Sequence, residues 1–365
     1  MKAKAAILYE VDTPLRIEEI DIDDPKDEEV LVKLSATGVC HSDIHVIKGD
    51  IPAFMPVVLG HEGAGIVEKV GKNVTEVKPG DKVVLVVTPH CGKCAACLTG
   101  KPYICERVMD AGMGGTMMDG TSRMKKDGEP LHHYFCQSSF SQYCVAEEEV
   151  VVKVPDDVPL DVVCLLSCGS STGIGAVLNK AKVEPGDSVA IIGCGGVGLS
   201  AVMAAHLIGA SRIFAVDKLE NKLQMAQELG ATDLVNASKE DPLEKIQLAT
   251  MGGVDYVIEA IGNADTIAMA FNMLKYGGTA VVVGVAPWGA LVSIDAMFLL
   301  AEKSLTGCIA GRLRPRIDIP RYVDLFKAGR LPLDKLVTAR YPLEKINDAI
   351  QATLEGKVIR AVITF

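Results

Sequence analysis

The chain has 365 residues, of which 49% are hydrophobic and 23% charged, and a formal net charge of −10. That length exceeds one ordinary core and predicts two domains, the composition is globular, and the acidity speaks against nucleic acid or an anionic membrane as a main partner. No stretch approaches the roughly 18–20 apolar residues of a membrane span, and Glu10 and Asp12 interrupt the N-terminus before it could serve as a signal peptide. A cytoplasmic protein is expected.

In chain order, short β-like runs come first: Ala3–Tyr9, Val30–Leu34, Ile66–Val70 and Lys82–Val87, separated by turns such as Pro79-Gly80-Asp81. This region reads as mostly antiparallel β. It carries two groups of ligand-type residues, Gly38 to His45 (GVCHSDIH) and Gly60 to Gly63 (GHEG). Taken singly, His61 fits a satisfied interior histidine as well as a metal ligand.

Eleven cysteines in a chain of this size point to metal ligands or buried thiols before a disulfide framework. Cys91, Cys94, Cys97 and Cys105 fall within fifteen residues, with two-residue gaps between the first three. Four thiolates so spaced can close around one tetrahedral zinc and leave no position open for chemistry. A nucleic-acid zinc ribbon would show two separated C-x-x-C knuckles and a basic surface, and neither is present. Cys164 and Cys168 follow just before the character of the chain changes near residue 170; Cys168 alone is as readily a small buried apolar residue.

Residues 188–217 then read as strand, glycine-rich turn, helix, strand and acid. Gly193, Gly195 and Gly198 hold the G-x-G-x-x-G spacing, with Gly196 and Val197 between them. The first glycine permits a tight turn, the second lets the backbone approach a pyrophosphate, and the third lets the helix sit close to the strand. Asp217 at the end of the second strand suits both ribose hydroxyls and would repel a 2′-phosphate, which favours NAD over NADP, although Lys218 stands beside it. Six strands are expected at 188–192, 212–216, 233–236, 254–258, 279–284 and 305–309, with helices between most of them. That is a full doubly wound set. The cofactor domain is therefore placed at 170–309, and the remaining residues 310–365 are expected to rejoin the first domain, 1–169.

Several segments in this order carry a family resemblance: GVCHSDIH, GHEGAGIVEKVG, the four-cysteine loop, GTMMDGTSR, FSQY, CGSSTGIGA, GCGGVG and GKVIRAVITF. Together they resemble the zinc-dependent alcohol dehydrogenases of the medium-chain dehydrogenase/reductase superfamily, end to end. The loop around 111–140 is similar to the liver-type and glutathione-dependent formaldehyde dehydrogenase branches. The resemblance implies a GroES-like, mostly antiparallel β catalytic domain and a Rossmann cofactor domain with the cofactor between them. It also implies a dimer or tetramer acting on a small-molecule alcohol or aldehyde, with two zinc ions and NAD per subunit.

By the same resemblance Cys40, His61 and Cys168 ligate a catalytic zinc, Asp43 orients His61, Glu62 lies behind the metal, and the four-cysteine loop holds a structural zinc. Ser42 would take the alcohol proton, and the NAD ribose and His45 would carry it to solvent. Thr172 and Val197 would line the nicotinamide, Lys222 the adenosine ribose, and Arg360 the pyrophosphate. His41 stands where many relatives carry an arginine for that pyrophosphate. A histidine is only partly charged at pH 7, so NADH should be held less tightly.

Val87 stands where relatives often carry an aromatic residue, so a pocket wide enough for branched or aromatic alcohols is expected, with Tyr134 and Val285 in the lining. The rival reading is oxidation of a formaldehyde–thiol adduct. That branch uses an arginine where this chain has Met109, with Arg107 two residues away. A non-catalytic NAD- or zinc-binding protein would be expected to lack ligands or relay residues, and this chain keeps them.

Overall fold

The computed structural model describes residues 1–88, 90–107, 112 and 114–365. The first strands are β1 (Lys2–Leu8), β2 (Arg16–Ile22), β3 (Glu29–Gly38), β4 (Val57–Val58), β5 (Gly63–Val70) and β6 (Lys82–Leu85). Helix α1 (His41–Lys48) lies between β3 and β4. Next come β7 (Met124–Lys126), β8 (Glu129–Pro130), β9 (Tyr143–Glu147) and β10 (Val151–Lys153). A second series follows: β11 (Ser188–Ile192), β12 (Arg212–Asp217), β13 (Asp233–Asn236), β14 (Val254–Glu259), β15 (Leu274–Val282) and β16 (Ser304–Gly307). Helices α2 (Gly196–Ile208), α3 (Glu220–Glu228), α4 (Pro242–Thr250) and α5 (Ala264–Asn272) alternate with them. Strands β17 (Val337–Pro342) and β18 (Arg360–Thr364) close the chain.

Two compact units result. One comprises Met1–Cys168, Arg314–Lys327 and Leu333–Phe365; the other comprises Gly169–Leu313 and Ala328–Pro332. No single helix among the described residues is long and apolar enough to cross a membrane.

The first unit holds a five-stranded sheet, β4-β1-β2-β7-β8, and a seven-stranded one, β10-β6-β5-β3-β18-β17 with β9 also on β3. The pairs are antiparallel except β17 with β18. Strand β1 (KAKAAIL) starts by alternating exposed lysine with buried alanine, as a strand with one face on a core does. For the site, the order β5-β3-β18 is what counts. Gly63 pairs with Thr37, and Gly38 pairs with Val362. The end of β3 and the starts of β5 and β18 therefore lie side by side. The chain leaving β3 carries Cys40, the chain entering β5 carries His61 and Glu62, and β18 opens on Arg360.

The second unit is a six-stranded parallel sheet, β13-β12-β11-β14-β15-β16, the doubly wound order whose direction reverses between β11 and β14. Strand β11 (SVAII) is buried over its last four residues, as expected of a parallel strand covered on both faces. The expected fold class is what is found. Strand β15 differs in extent: it starts at Leu274 rather than 279 and ends at Val282. Gly277 and Gly278 imitate a turn in the sequence, whereas the ladder to β14 absorbs them through a register shift between Val254 and Tyr256.

At the end of β9, Glu147 Oε1 accepts a hydrogen bond from the Met118 amide at 2.6 Å, while Oε2 is buried without a partner. Burial first, then Glu29 and Glu149, push this carboxyl up to about 7 from its ordinary 4.5. A raised folded value means that the proton favours folding. The contribution is complete below the ordinary value and is lost as pH rises through the folded one. Glu147→Gln keeps the acceptor and removes the titration. It should gain about 1–3 kcal/mol on the wild type between about pH 5 and about pH 8, read from urea midpoints. A difference between the two proteins that ignores pH would overturn this.

Candidate active site

The Sγ atoms of Cys40 and Cys168, a ring nitrogen of His61 and a carboxylate oxygen of Glu62 all lie within 4.8 Å of one another. Asp43 organises the cluster. It is fully buried on the first turn of α1, where its Oδ2 accepts from the Cys40 amide at 3.0 Å, closing a capping box. Its Oδ1 accepts from the Gly60 amide and meets His61 Nδ1, each at 3.0 Å. One carboxylate thus fixes the backbone of one cysteine, the turn before the histidine, and the histidine ring. The last member is pinned separately: Ser167 Oγ donates to Gly63 O at 3.2 Å, and the buried Val87 donates its amide to Ser167 O at 3.1 Å.

With Nδ1 engaged, His61 Nε2 is buried and has no hydrogen-bond partner. A buried ring nitrogen without a partner is costly, and its cost is met if it binds a cation. The Cys168 hydrogen bond, with His61 and Arg360 behind it, holds the Cys40 thiol well below its ordinary value against the effect of burial. Burial opposes charge on His61 too, but Asp43 and then Cys40 outweigh it and raise the imidazole. Two sulfurs and one imidazole nitrogen are a donor set suited to a catalytic zinc. Glu62 is turned to Arg360, with which it forms a buried ion pair. A Cβ on Gly38 would lie 2.0 Å from Glu62 Oε2, so glycine there makes room for that pair.

The four-cysteine loop also fits a metal. Its Sγ–Sγ separations are 3.5 Å (Cys94–Cys97), 3.8 Å (Cys94–Cys105) and 3.6 Å (Cys105–Cys91). A tetrahedron with Zn–S bonds of about 2.3 Å has edges of about 3.8 Å. Backbone N–H groups of Cys97 and then Glu106 bring the Cys94 thiol down to about 6.

In the second unit, Gly193 turns with φ +93, and a Cβ on Gly198 would lie 1.8 Å from Gly193 O. Both glycines are required by the fold itself. Gly195 is not: its φ is −80, and a Cβ there meets nothing within 4 Å. Gly196 and the half-buried Val197 begin α2, whose N-terminal amides have no side-chain cap. Asp217 ends β12 and accepts from the Cys194 amide at 2.8 Å, so the acid sits against the glycine turn.

The remaining expected residues fall as follows. Ser42 Oγ is 3.8 Å from Cys40 Sγ, and His45 lies one turn further along α1, 27% exposed. No direct hydrogen bond joins Ser42 to His45 among the described residues. His41 is exposed at the start of α1. Tyr134 is buried edge-on to the His61 ring, 5.4 Å between centroids, and its hydroxyl donates to Ser42 O at 3.2 Å. Phe135 packs on His61 as well, at 5.5 Å. Thr172 is buried, Lys222 lies on α3, and Val285, expected in a pocket lining, is exposed beyond β15. Arg360, expected at a pyrophosphate, is found in the ion pair with Glu62. Met109 lies outside the described residues; Arg107 donates to Met118 O at 2.9 Å. The Glu62–Arg360 pair, Phe135 and the space kept by Gly38 are absent from the reading of the sequence.

Two family models match the chain: "Alcohol dehydrogenase GroES-like domain" over residues 26–156 and "Zinc-binding dehydrogenase" over residues 196–328. The solved structure of an alcohol dehydrogenase zinc-binding domain protein from Burkholderia ambifaria is 40% identical, covers 100% of this chain and 99% of its own, and superposes with a TM-score of 0.97. Benzyl alcohol dehydrogenase from Acinetobacter calcoaceticus is 36% identical over 100% of this chain and 99% of its own, TM-score 0.96. A protein described as a zinc-binding dehydrogenase, from Sinorhizobium meliloti 1021 and bound to NADP, is 26% identical over 100% of both chains, TM-score 0.82. A GroES-like β unit with a two-cysteine, one-histidine donor set, together with a doubly wound unit bearing a dinucleotide fingerprint, defines a zinc-binding nicotinamide dehydrogenase. This chain belongs to the zinc-binding alcohol dehydrogenase family of the medium-chain dehydrogenase/reductase superfamily and is an oxidoreductase.

Proposed function

We propose that the protein oxidises a primary alcohol, aromatic or branched, to its aldehyde with NAD, releasing a proton, and catalyses the reverse. The observation that carries this reading is the unpartnered His61 Nε2 clustered with the Cys40 and Cys168 sulfurs within 4.8 Å. Cys40, His61 and Cys168 would hold a catalytic zinc, and Cys91, Cys94, Cys97 and Cys105 a structural one. Zinc, when bound, supplies the Lewis acidity that lets an alcohol lose its proton near neutral pH, and the nicotinamide supplies the hydride acceptor.

The chain's own residues do the rest. Asp43 keeps His61 Nδ1 engaged so that Nε2 faces the metal position. Ser42 receives the hydroxyl proton, and His45, on the same face one turn on, returns it to solvent. Asp217 selects NAD, the glycines at 193, 195, 196 and 198 admit the pyrophosphate, and Thr172, Val197, Lys222 and Val285 complete the cofactor contacts. We assign catalysis to residues 1–169 with 310–365 and cofactor binding to 170–309, in a cytoplasmic enzyme of the liver-type branch. Trp288, Leu291 and Leu300 are 94%, 89% and 82% exposed on the segment joining β15 to the outermost strand β16, which supports a homo-oligomer.

His45→Gln should slow alcohol oxidation about tenfold at neutral pH, with partial rescue by added base. An unchanged rate would remove the relay. The overall test is NADH formation at 340 nm with ethanol, longer alcohols, benzyl alcohol, and formaldehyde with and without glutathione. The small Val87 side chain supports a higher kcat/KM for benzyl alcohol than for ethanol, by about tenfold or more. Turnover only in the presence of the thiol would replace this reading with the thiol-adduct one.

A further inference from the structure

Helix α1 ends at Lys48, and Gly49 turns the chain back in the left-handed region, φ +80. Asp50 then donates its amide to His45 O at 2.8 Å, and Ile51 donates to the same carbonyl at 3.2 Å. That return places Asp50 Oδ2 2.9 Å from His45 Nδ1. The aspartate is held to this histidine through both backbone and side chain. Its backbone position follows from the helix end, and its side chain is 47% exposed.

A neutral imidazole carries one proton, and the partner of one nitrogen decides which nitrogen holds it. A carboxylate can only accept, so Asp50 draws the proton to Nδ1 and leaves the lone pair on Nε2. We propose that Asp50 is a positioning residue that fixes the tautomer of His45 and so makes Nε2 the proton acceptor at the surface end of the relay. The inference rests on the relay reading of His45. The step is a proton transfer only: Nε2 gains the proton that reaches the surface end of the relay, the ring becomes a cation paired with Asp50, and the proton then leaves to water.

The test uses the metal-loaded full chain. Histidine-labelled ¹⁵N spectra at alkaline pH, with the His45 signals assigned by their loss in His45→Gln, report the tautomer directly. The wild type should show the proton on Nδ1. Asp50→Asn, whose amide can donate to Nδ1, should show it on Nε2. Alcohol oxidation by Asp50→Asn should fall about tenfold in kcat with the alcohol KM little changed, and Asp50→Glu should recover part of the loss. In a His45→Gln background, Asp50→Asn should have no further effect. A wild-type proton on Nε2, or an equal loss in both backgrounds, overturns the proposal. If His45→Gln alone leaves the rate unchanged, the relay itself fails and the proposal fails with it. A slowed His45→Gln beside an unaffected Asp50→Asn removes only the role of Asp50.

Discussion

Asp43→Ala is expected to lose the metal of the Cys40–His61–Cys168 cluster and a large part of the stability of its unit. Asp43 is fully buried and accepts from two backbone amides, those of Cys40 and Gly60, as well as meeting His61 Nδ1. Alanine would leave both amides buried without acceptors and the ring free to turn. Breaking such a network costs about 3–5 kcal/mol, and removing a metal ligand's orienting partner costs about 10–100-fold in metal affinity. The measurements are zinc content per chain after competition with a chelator, and the urea midpoint. Asp43→Asn, which retains one acceptor oxygen, should fall between wild type and Asp43→Ala. Unchanged zinc content and midpoint in the alanine variant would show that the cluster does not depend on this carboxylate.

The role of Asp43 came from family resemblance; its capping of the Cys40 amide, three residues away, emerges only in the structure. Its bond to His61 spans eighteen residues and was supplied by family resemblance. Strands β11, β12, β13 and β14 were readable for a local reason: buried parallel strands are short continuous apolar runs bounded by glycine or polar turns. Strands β7 and β8, three and two residues long, carry no such pattern.

Helix α1 was hidden by its own chemistry, since HSDIHVIK reads as a list of ligands before it reads as a helix. The Glu62–Arg360 pair joins residues 298 apart, and nothing local marks either as the other's partner. The GTMMDGTSR segment serves packing: the buried Arg123 pairs with Glu29 and Asp119, and its amide donates to His133 Nε2 at 3.1 Å. Burial, then Arg123, pushes His133 down to about 3, so it stays a neutral acceptor.

Gly198 and Gly195 allow the needs of the fold and of the proposed cofactor site to be tested separately. On Gly198 a methyl group would meet Gly193 O at 1.8 Å and the buried Ile191 side chain at 3.2 Å. The first obstacle is backbone and cannot rotate away, so α2 must move off β11. Gly198→Ala should destabilise its unit by about 1–3 kcal/mol or more and lower NADH affinity at least about a hundredfold. Zinc content should not change. Gly195→Ala is the informative partner, because its backbone suits any residue and its methyl group would point into open space. It should leave the urea midpoint within about 0.5 kcal/mol of wild type yet still weaken NADH, since the methyl group stands where the second glycine of the fingerprint admits a pyrophosphate. Fluorescence titration with NADH on both variants, beside the unfolding curves, gives the comparison. Loss of affinity in Gly198→Ala alone would mean that only packing is at stake in this turn. Loss in both, with stability lost in one, would establish Gly195 as a residue kept small for the ligand.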